Sequence, residues 1–193
     1  SLYGSCVTSL HAIYDSATAP LFHQLHLSTA PRVGLVRLEV DGPDSLVAVA
    51  PALQQLVALT HLKACIVLPC SESSAQGQTL QQGVPCLQHL CPGLRSLHLD
   101  IDFEPGSSRQ QTQVPVADLL PSSLEQLHMQ TAASMVAMIP CAALAGYTSL
   151  HSLTLKHVVL TDPGVLLDMP GLDALNLFGV LCSVDGRIQH ASA

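Results

Sequence analysis

The sequence predicts an α/β solenoid, a stack of coils that each add one strand to a parallel sheet and return through a short helix or irregular turn. Three observations predict it. The apolar motif L-x-x-L-x-L occurs six times in 193 residues. The segments between copies carry apolar residues three or four apart and then a Pro or Gly. The interior must also be aliphatic, because 48% of the chain is hydrophobic yet it has no Trp, three Phe and three Tyr.

The motif copies run in order along the chain: LVRLEV at 35–40, LTHLKA at 59–64, LRSLHL at 94–99, LEQLHM at 124–129, LHSLTL at 150–155 and LDALNL at 172–177. Only Val40, Ala64 and Met129 replace leucine at the eighteen apolar positions. Successive starts are separated by 24, 35, 30, 26 and 22 residues. Offsets of 0, 3 and 5 fit neither a helix of period about 3.6 nor a simple strand of period about 2. They fit a bend followed by a strand. The last two leucines, two apart, share one side of the strand, and the first turns inward where the chain enters it. One coil cannot bury this side alone, whereas coils stacked about 4.8 Å apart share a continuous core.

The connecting segments PALQQLVAL (51–59), VPCLQHLCPGL (84–94) and VLLDMPGL (165–172) are expected to form short helices ending at a breaker. Two coils are stretched by CSESSAQGQ (70–78) and EPGSSRQQTQ (104–113), polar segments expected to emerge as loops along one rim.

With L-x-x-L-x-L at a period near 20 to 29 residues, the chain resembles the leucine-rich repeat family from about residue 22 to residue 181. LTDPGV and LCPGL resemble, in part, its cysteine-containing, F-box-type subtype. The subtype's Cys falls on Val158, and the Asn or Cys ladder is replaced by Pro43, Val67, Asp102, Ala132, Val158 and Val180, so other backbone bonds are expected to satisfy these turns. The resemblance implies a right-handed leucine-rich repeat solenoid, with a parallel β-sheet on the concave face and short helices or irregular turns on the convex face. Residues 1–21 are then a flanking helix or a preceding repeat, 22–181 the array, and 182–193 a C-terminal tail.

Composition excludes several function classes. Seven Lys and Arg are scattered through a chain of net charge −7, the opposite of the clustered cations that nucleic acid requires. The same scarcity argues against a basic membrane-surface helix. No run reaches the ~18 apolar residues of a membrane span, and the N-terminus lacks a cationic start followed by an apolar core. Seven cysteines, an odd number in a leucine-rich interior, suggest reduced thiols and an intracellular site, cytoplasmic or nuclear. The chain begins on Ser, which suggests a processed or partial product, and FGVLCSVDGRIQHASA is too short and polar for a capping helix. The array is therefore expected to continue in a longer chain or to be covered by a neighbour.

Candidate chemistry is sparse. His98, Asp100, Asp102 and Glu104 alternate to the solvent side of one strand, but residues two apart diverge, so a solvated acidic ladder is expected and no metal site. Cys65, Cys70, Cys86 and Cys91 loosely match zinc spacing, yet Cys65 belongs to the strand while Cys86 and Cys91 flank the helix opposite it. Buried thiols are the simpler expectation. No G-x-S-x-G turn, phosphate loop or dinucleotide fingerprint is present. Neither catalytic residues nor cofactor are expected, and no small-molecule substrate.

What remains is the face between the inward leucines. Its central column reads Glu39, Lys63, His98, His128, Thr154 and Asn176; the next reads Asp41, Cys65, Asp100, Gln130, Lys156 and Phe178. These residues, Cys65 aside, are the expected contacts for a protein partner on the concave face or the loop rim. The function expected is a non-catalytic protein-interaction module in a longer chain or larger complex. The alternatives are the substrate-recognition arm of an F-box-type ubiquitin ligase and a structural subunit.

Overall fold

The computed structural model describes residues 8–15, 34–68, 85–103, 112–132, 137–184 and 187–190. Its main feature is a parallel sheet of seven strands. They are β1 (Ser9–Ile13), β2 (Arg37–Asp41), β3 (His61–Leu68), β4 (Ser96–Phe103), β6 (Gln126–Thr131), β8 (Ser152–Lys156) and β10 (Ala174–Phe178). The strands lie side by side in chain order. Six carry the motif; β1 is a seventh, in the degenerate copy VTSLHA at 7–12.

The register joins the middle leucines of the motif into one ladder. Leu10 faces Leu38, then Leu62, Leu97, Leu127, Leu153 and Leu175 follow in unbroken pairs. Their neighbours Leu99, Met129, Leu155 and Leu177 form a second ladder beside it. All of these lie in one apolar cluster, fully buried in the central coils and half-buried at Leu10, Leu175 and Leu177. Burying an aliphatic side chain is worth about 1.5–3 kcal/mol, so stacking rather than any single coil holds the fold.

The bend that explains the 0, 3, 5 offsets is visible in the backbone bonds. The carbonyl one residue after each motif start accepts two successive N–H groups from the next coil. Val36 and Arg37 donate to Thr8, Thr60 and His61 to Val36, Arg95 and Ser96 to Thr60, and so on to Asp173 and Ala174, which donate to His151. Two donors on one carbonyl turn the chain there and swing the first leucine inward. A tight turn precedes five of the bends: Leu59 N–H bonds Leu56, Leu94 bonds Cys91, Leu124 bonds Pro121, Leu150 bonds Tyr147 and Leu172 bonds Met169.

The return paths differ from the sequence expectation in two ways. Short helices are present: α1 (Ser45–Leu53), α2 (Leu87–Leu90), α3 (Val116–Leu119), α4 (Cys141–Leu144) and a 3-10 helix (Pro163–Asp168). But α1 lies upstream of the expected 51–59, with Pro51 near its end instead of its start. Proline suits a first helical turn, so its position in the sequence points to the wrong end of this helix. Second, β5 (Thr112–Gln113), β7 (Ala137–Pro140), β9 (Val158–Thr161) and β11 (Leu181–Val184) form another parallel sheet, extended by β12 (Arg187–His190) antiparallel to β11. Strands β11 and β12 thus occupy most of the segment read as a tail. The stretch 70–78 and residues 104–111 lie outside the described residues.

Side chains also replace the missing Asn or Cys ladder, where backbone bonds were expected. The buried Ser45 hydroxyl donates to Val40 O at 2.9 Å and accepts from Cys65 N–H at 2.8 Å. Asp44 accepts from Val67 N–H at 3.4 Å, and the Thr131 hydroxyl donates to His157 O. Buried backbone groups demand partners, and these short polar side chains supply them.

Candidate functional site

Alternation along β2, β3, β4, β6, β8 and β10 sends the intervening side chains to the outer face of the seven-stranded sheet. The register then fixes who meets whom. His11, Glu39, Lys63, His98, His128, Thr154 and Asn176 form one continuous row. Cys65, Asp100, Gln130, Lys156 and Phe178 form the next.

The first half of this face is knitted together by charge. Lys63 Nζ donates to Asp41 Oδ1 at 2.6 Å, and His11 Nε2 lies 2.8 Å from Asp41 Oδ2. Arg37 Nε donates to Glu39 Oε1 at 2.9 Å. The Lys63 bond, helped by His11, holds the Asp41 carboxyl below its usual range, and the same bond raises the Lys63 ammonium. A shallow pocket crosses β2, β3 and β4 here, with Arg37, Glu39, His61, Lys63, Ser96 and His98 around a floor of Leu38 and Leu62.

The middle is an imidazole pair. His98 and His128 stack with centroids 4.0 Å apart at 15°. His98 Nε2 also meets Asp100 Oδ1 at 3.1 Å, so residues two apart on this strand converge where divergence was expected. A long ring reaching along the strand closes the gap. Burial pushes the Asp100 carboxyl up, but the bond and charge of His98, the Gln130 bond and the Lys63 charge together outweigh it, and the group ends below its usual range. His128 is depressed by burial and by its neighbours His98 and Lys156. Its Nε2 is buried without a hydrogen-bond partner among the described residues.

The sign of the pH effect follows. An unfolded imidazole takes up a proton near pH 6.5, and His128 in the fold only below that, so between the two values the unfolded chain binds more protons. His128 therefore favours folding fully above pH ~6.5 and loses that contribution as pH falls. Asp41 and Asp100 act in a lower window, stabilising above about 3.8 and failing as pH drops through their depressed values. Urea midpoints at pH 7.5 and 5.5 should fall more on acidification for the native chain than for His128→Gln; equal drops would remove His128 from the account.

The last third of the face is different. Of the four described Lys and Arg side chains, Arg37, Lys63 and Arg95 sit in ion pairs. Lys156 has no carboxylate among the described residues; its Nζ lies 5.7 Å from the Phe178 ring centroid. Phe178 is 54% exposed. Asn176 Nδ2 reaches Thr154 Oγ1 at 3.5 Å.

The residues read from the sequence as two columns lie in register rows on one side of the sheet, and the structure adds His11 and Arg37 to them. His11 was reachable from VTSLHA at 7–12; Arg37 stands two residues before Glu39 of the column that was read. Cys65 is buried, with its thiol donating to Asp102 Oδ2 at 3.6 Å and pushed by burial to about 12. Burial likewise takes Cys91 and Cys141 to about 12. Such thiols stay protonated at neutral pH and are poor nucleophiles. Among the described residues no group of three His, Cys, Asp or Glu side chains is placed to hold a metal ion, and no helix is long and apolar enough to cross a membrane.

Aligned leucine ladders, parallel strands in chain order and short helical returns define the class: this is an α/β leucine-rich repeat solenoid. No protein-family profile and no curated protein sequence matches the chain. Among solved structures it is similar to internalin C2 from Listeria monocytogenes, at 19% identity and TM-score 0.44 over 78% of this chain and 55% of that one. It is also similar to the plant peptide hormone receptor RGFR1 in complex with RGF2, at 14% identity and TM-score 0.46 over 93% of this chain and 28% of the receptor. The Arabidopsis receptor kinase HAESA ectodomain, bound to an IDA peptide hormone, matches at 14% identity and TM-score 0.32 over 89% of this chain and 33% of that one. The chain thus spans about half of the internalin and little more than a quarter of RGFR1.

Proposed function

We propose that this chain is a non-catalytic protein-interaction module whose partner docks on the outer, concave face of the seven-stranded sheet. One observation carries the reading. Every second residue of the central strands is consumed by the core, and the alternate ones are held in fixed positions by ion pairs, stacking and register across six strands. A rigid face loses little entropy on docking, which suits recognition by shape and charge. Glu39, Asp41, Lys63, His98, Asp100, His128, Gln130, Thr154, Lys156, Asn176 and Phe178 are the contacts proposed.

The test is affinity capture from the native source with the 193-residue chain as bait. Lys63→Glu and His128→Ala should each weaken the captured interaction about tenfold, equivalent to ~1.4 kcal/mol, with the fold intact. Leu167→Glu should leave it unchanged, since Leu167 is 82% exposed on the 3-10 helix. Loss with Leu167→Glu but not with the face variants would reverse the assignment. Cullin-type components among the captured proteins would support the ubiquitin-ligase version. The half-buried Leu172, Leu175 and Leu177 of the last motif copy favour a second reading, a structural subunit whose neighbour covers them.

A further inference from the structure

We propose that the anchor of this face is the pair Lys156 and Phe178, and that it receives a peptide segment of the partner carrying a carboxylate and an apolar side chain two residues apart. The proposal rests on the interaction-module reading above and specifies its partner chemistry.

The argument begins with what is already satisfied. Arg37 and Lys63 are committed to Glu39 and Asp41, and His98 to Asp100. A partner that touched them would have to strip water from ion pairs already made, at little net gain. Lys156 is the one described Lys or Arg side chain with no carboxylate among the described residues, and it is half-buried. Its ammonium rests over an aromatic ring instead, a weaker arrangement of about 0.5–1 kcal/mol at exposed sites. An incoming carboxylate therefore gains a charge-assisted bond without displacing one.

Phe178 supplies the apolar half. It is 54% exposed, and large aromatic side chains beside a cation are typical of residues that dominate interface energies. The ring sits on a fixed platform. Phe178 O accepts from His157 N–H at 2.9 Å, and Gly179, at φ +60°, lies against the His157 ring so closely that a Cβ there would come within 2.6 Å of Nδ1. Across the sheet, Gln130, Lys156 and Phe178 are register partners on adjacent strands.

Geometry sets the spacing. Nζ and the ring centroid are 5.7 Å apart. In an extended peptide, residues i and i+2 point the same way about 6.6 Å apart, so an Asp or Glu and a Leu, Ile, Val or Phe in the pattern acid-x-apolar span both groups.

A phage-displayed library of random dodecapeptides, selected against the intact 193-residue chain, tests this. Selected peptides should share acid-x-apolar, in either direction. For the tightest synthetic peptide, Lys156→Gln and Phe178→Ala should each weaken binding about tenfold while thermal melting is unchanged. Binding should also weaken as salt rises. Lys156→Glu should reverse the preference and select Lys- or Arg-x-apolar peptides, a gain that misfolding does not produce. A selection without that consensus, or one whose peptides ignore Lys156 and Phe178 variants while Lys63→Glu weakens them, overturns the anchor and leaves the docking face standing. Peptides indifferent to every variant of the face overturn both.

Discussion

Leu153→Asp is expected to abolish the folded state, with loss of the far-ultraviolet strand signal and of any cooperative melt. Leu153 is 0% exposed and pairs in register with Leu127 on one side and Leu175 on the other. Removing its side chain alone, as in Leu153→Ala, should cost about 2–5 kcal/mol through lost burial and a cavity. Asp adds a carboxyl group with no polar partner in the ladder, which must either ionise in an apolar interior or fold protonated and unbonded. Either adds several kcal/mol, and a domain holds only about 5–15 kcal/mol in total. Lys63→Glu, one strand face over, should melt within a few degrees of the native chain. A cooperative, native-like melt for Leu153→Asp would mean the ladder is not the core.

Gly42→Ala is expected to cost about 3 kcal/mol or more. Two faults coincide at this position. Its φ of +118° is a region that L side chains rarely adopt, and a Cβ there would lie 2.2 Å from Tyr14 O. The obstacle is backbone, so it cannot swing away. Relief would require parting β1 from β2, including the Tyr14 N–H bond to Asp41 O at 2.6 Å. Gly93→Ala is the control, because nothing lies within 4 Å of a Cβ there. Denaturant midpoints should separate the two variants clearly; coincident midpoints would show that the turn after β2 accommodates a side chain.

The two predictions draw on different sources. Leu153 is legible in LHSLTL because the burial of a ladder residue follows from repetition: a side chain recurring at the same offset in six coils has only the stack interior to occupy. Gly42 is not. Nothing in DGPD says that the chain there passes under Tyr14, which is 28 residues earlier. The second sheet escaped for a related reason. AMIP and LCSV are four-residue segments too short to show a period, and they become strands because the first sheet has already set their neighbours side by side.

The outer face divides in the same way. Alternation alone placed Lys63, His98, His128 and Lys156 on it, since a strand whose alternate positions are buried must expose the ones between them. Pairing is a property of register and of side-chain reach. Lys63 meets Asp41 across a diagonal, His98 turns along its own strand to Asp100, and Lys156 meets Phe178 from the next coil.

By itself, then, the sequence determined the architecture: a motif of leucines at offsets 0, 3 and 5, recurring along the chain, buries its apolar side only by stacking. The tertiary structure decided which charges are spent on one another and which cation has no carboxylate among the described residues. The physical reason is range. Burial depends on each residue's own periodicity, whereas a bond between charges decays over a few ångströms and is fixed only when distant coils come into register.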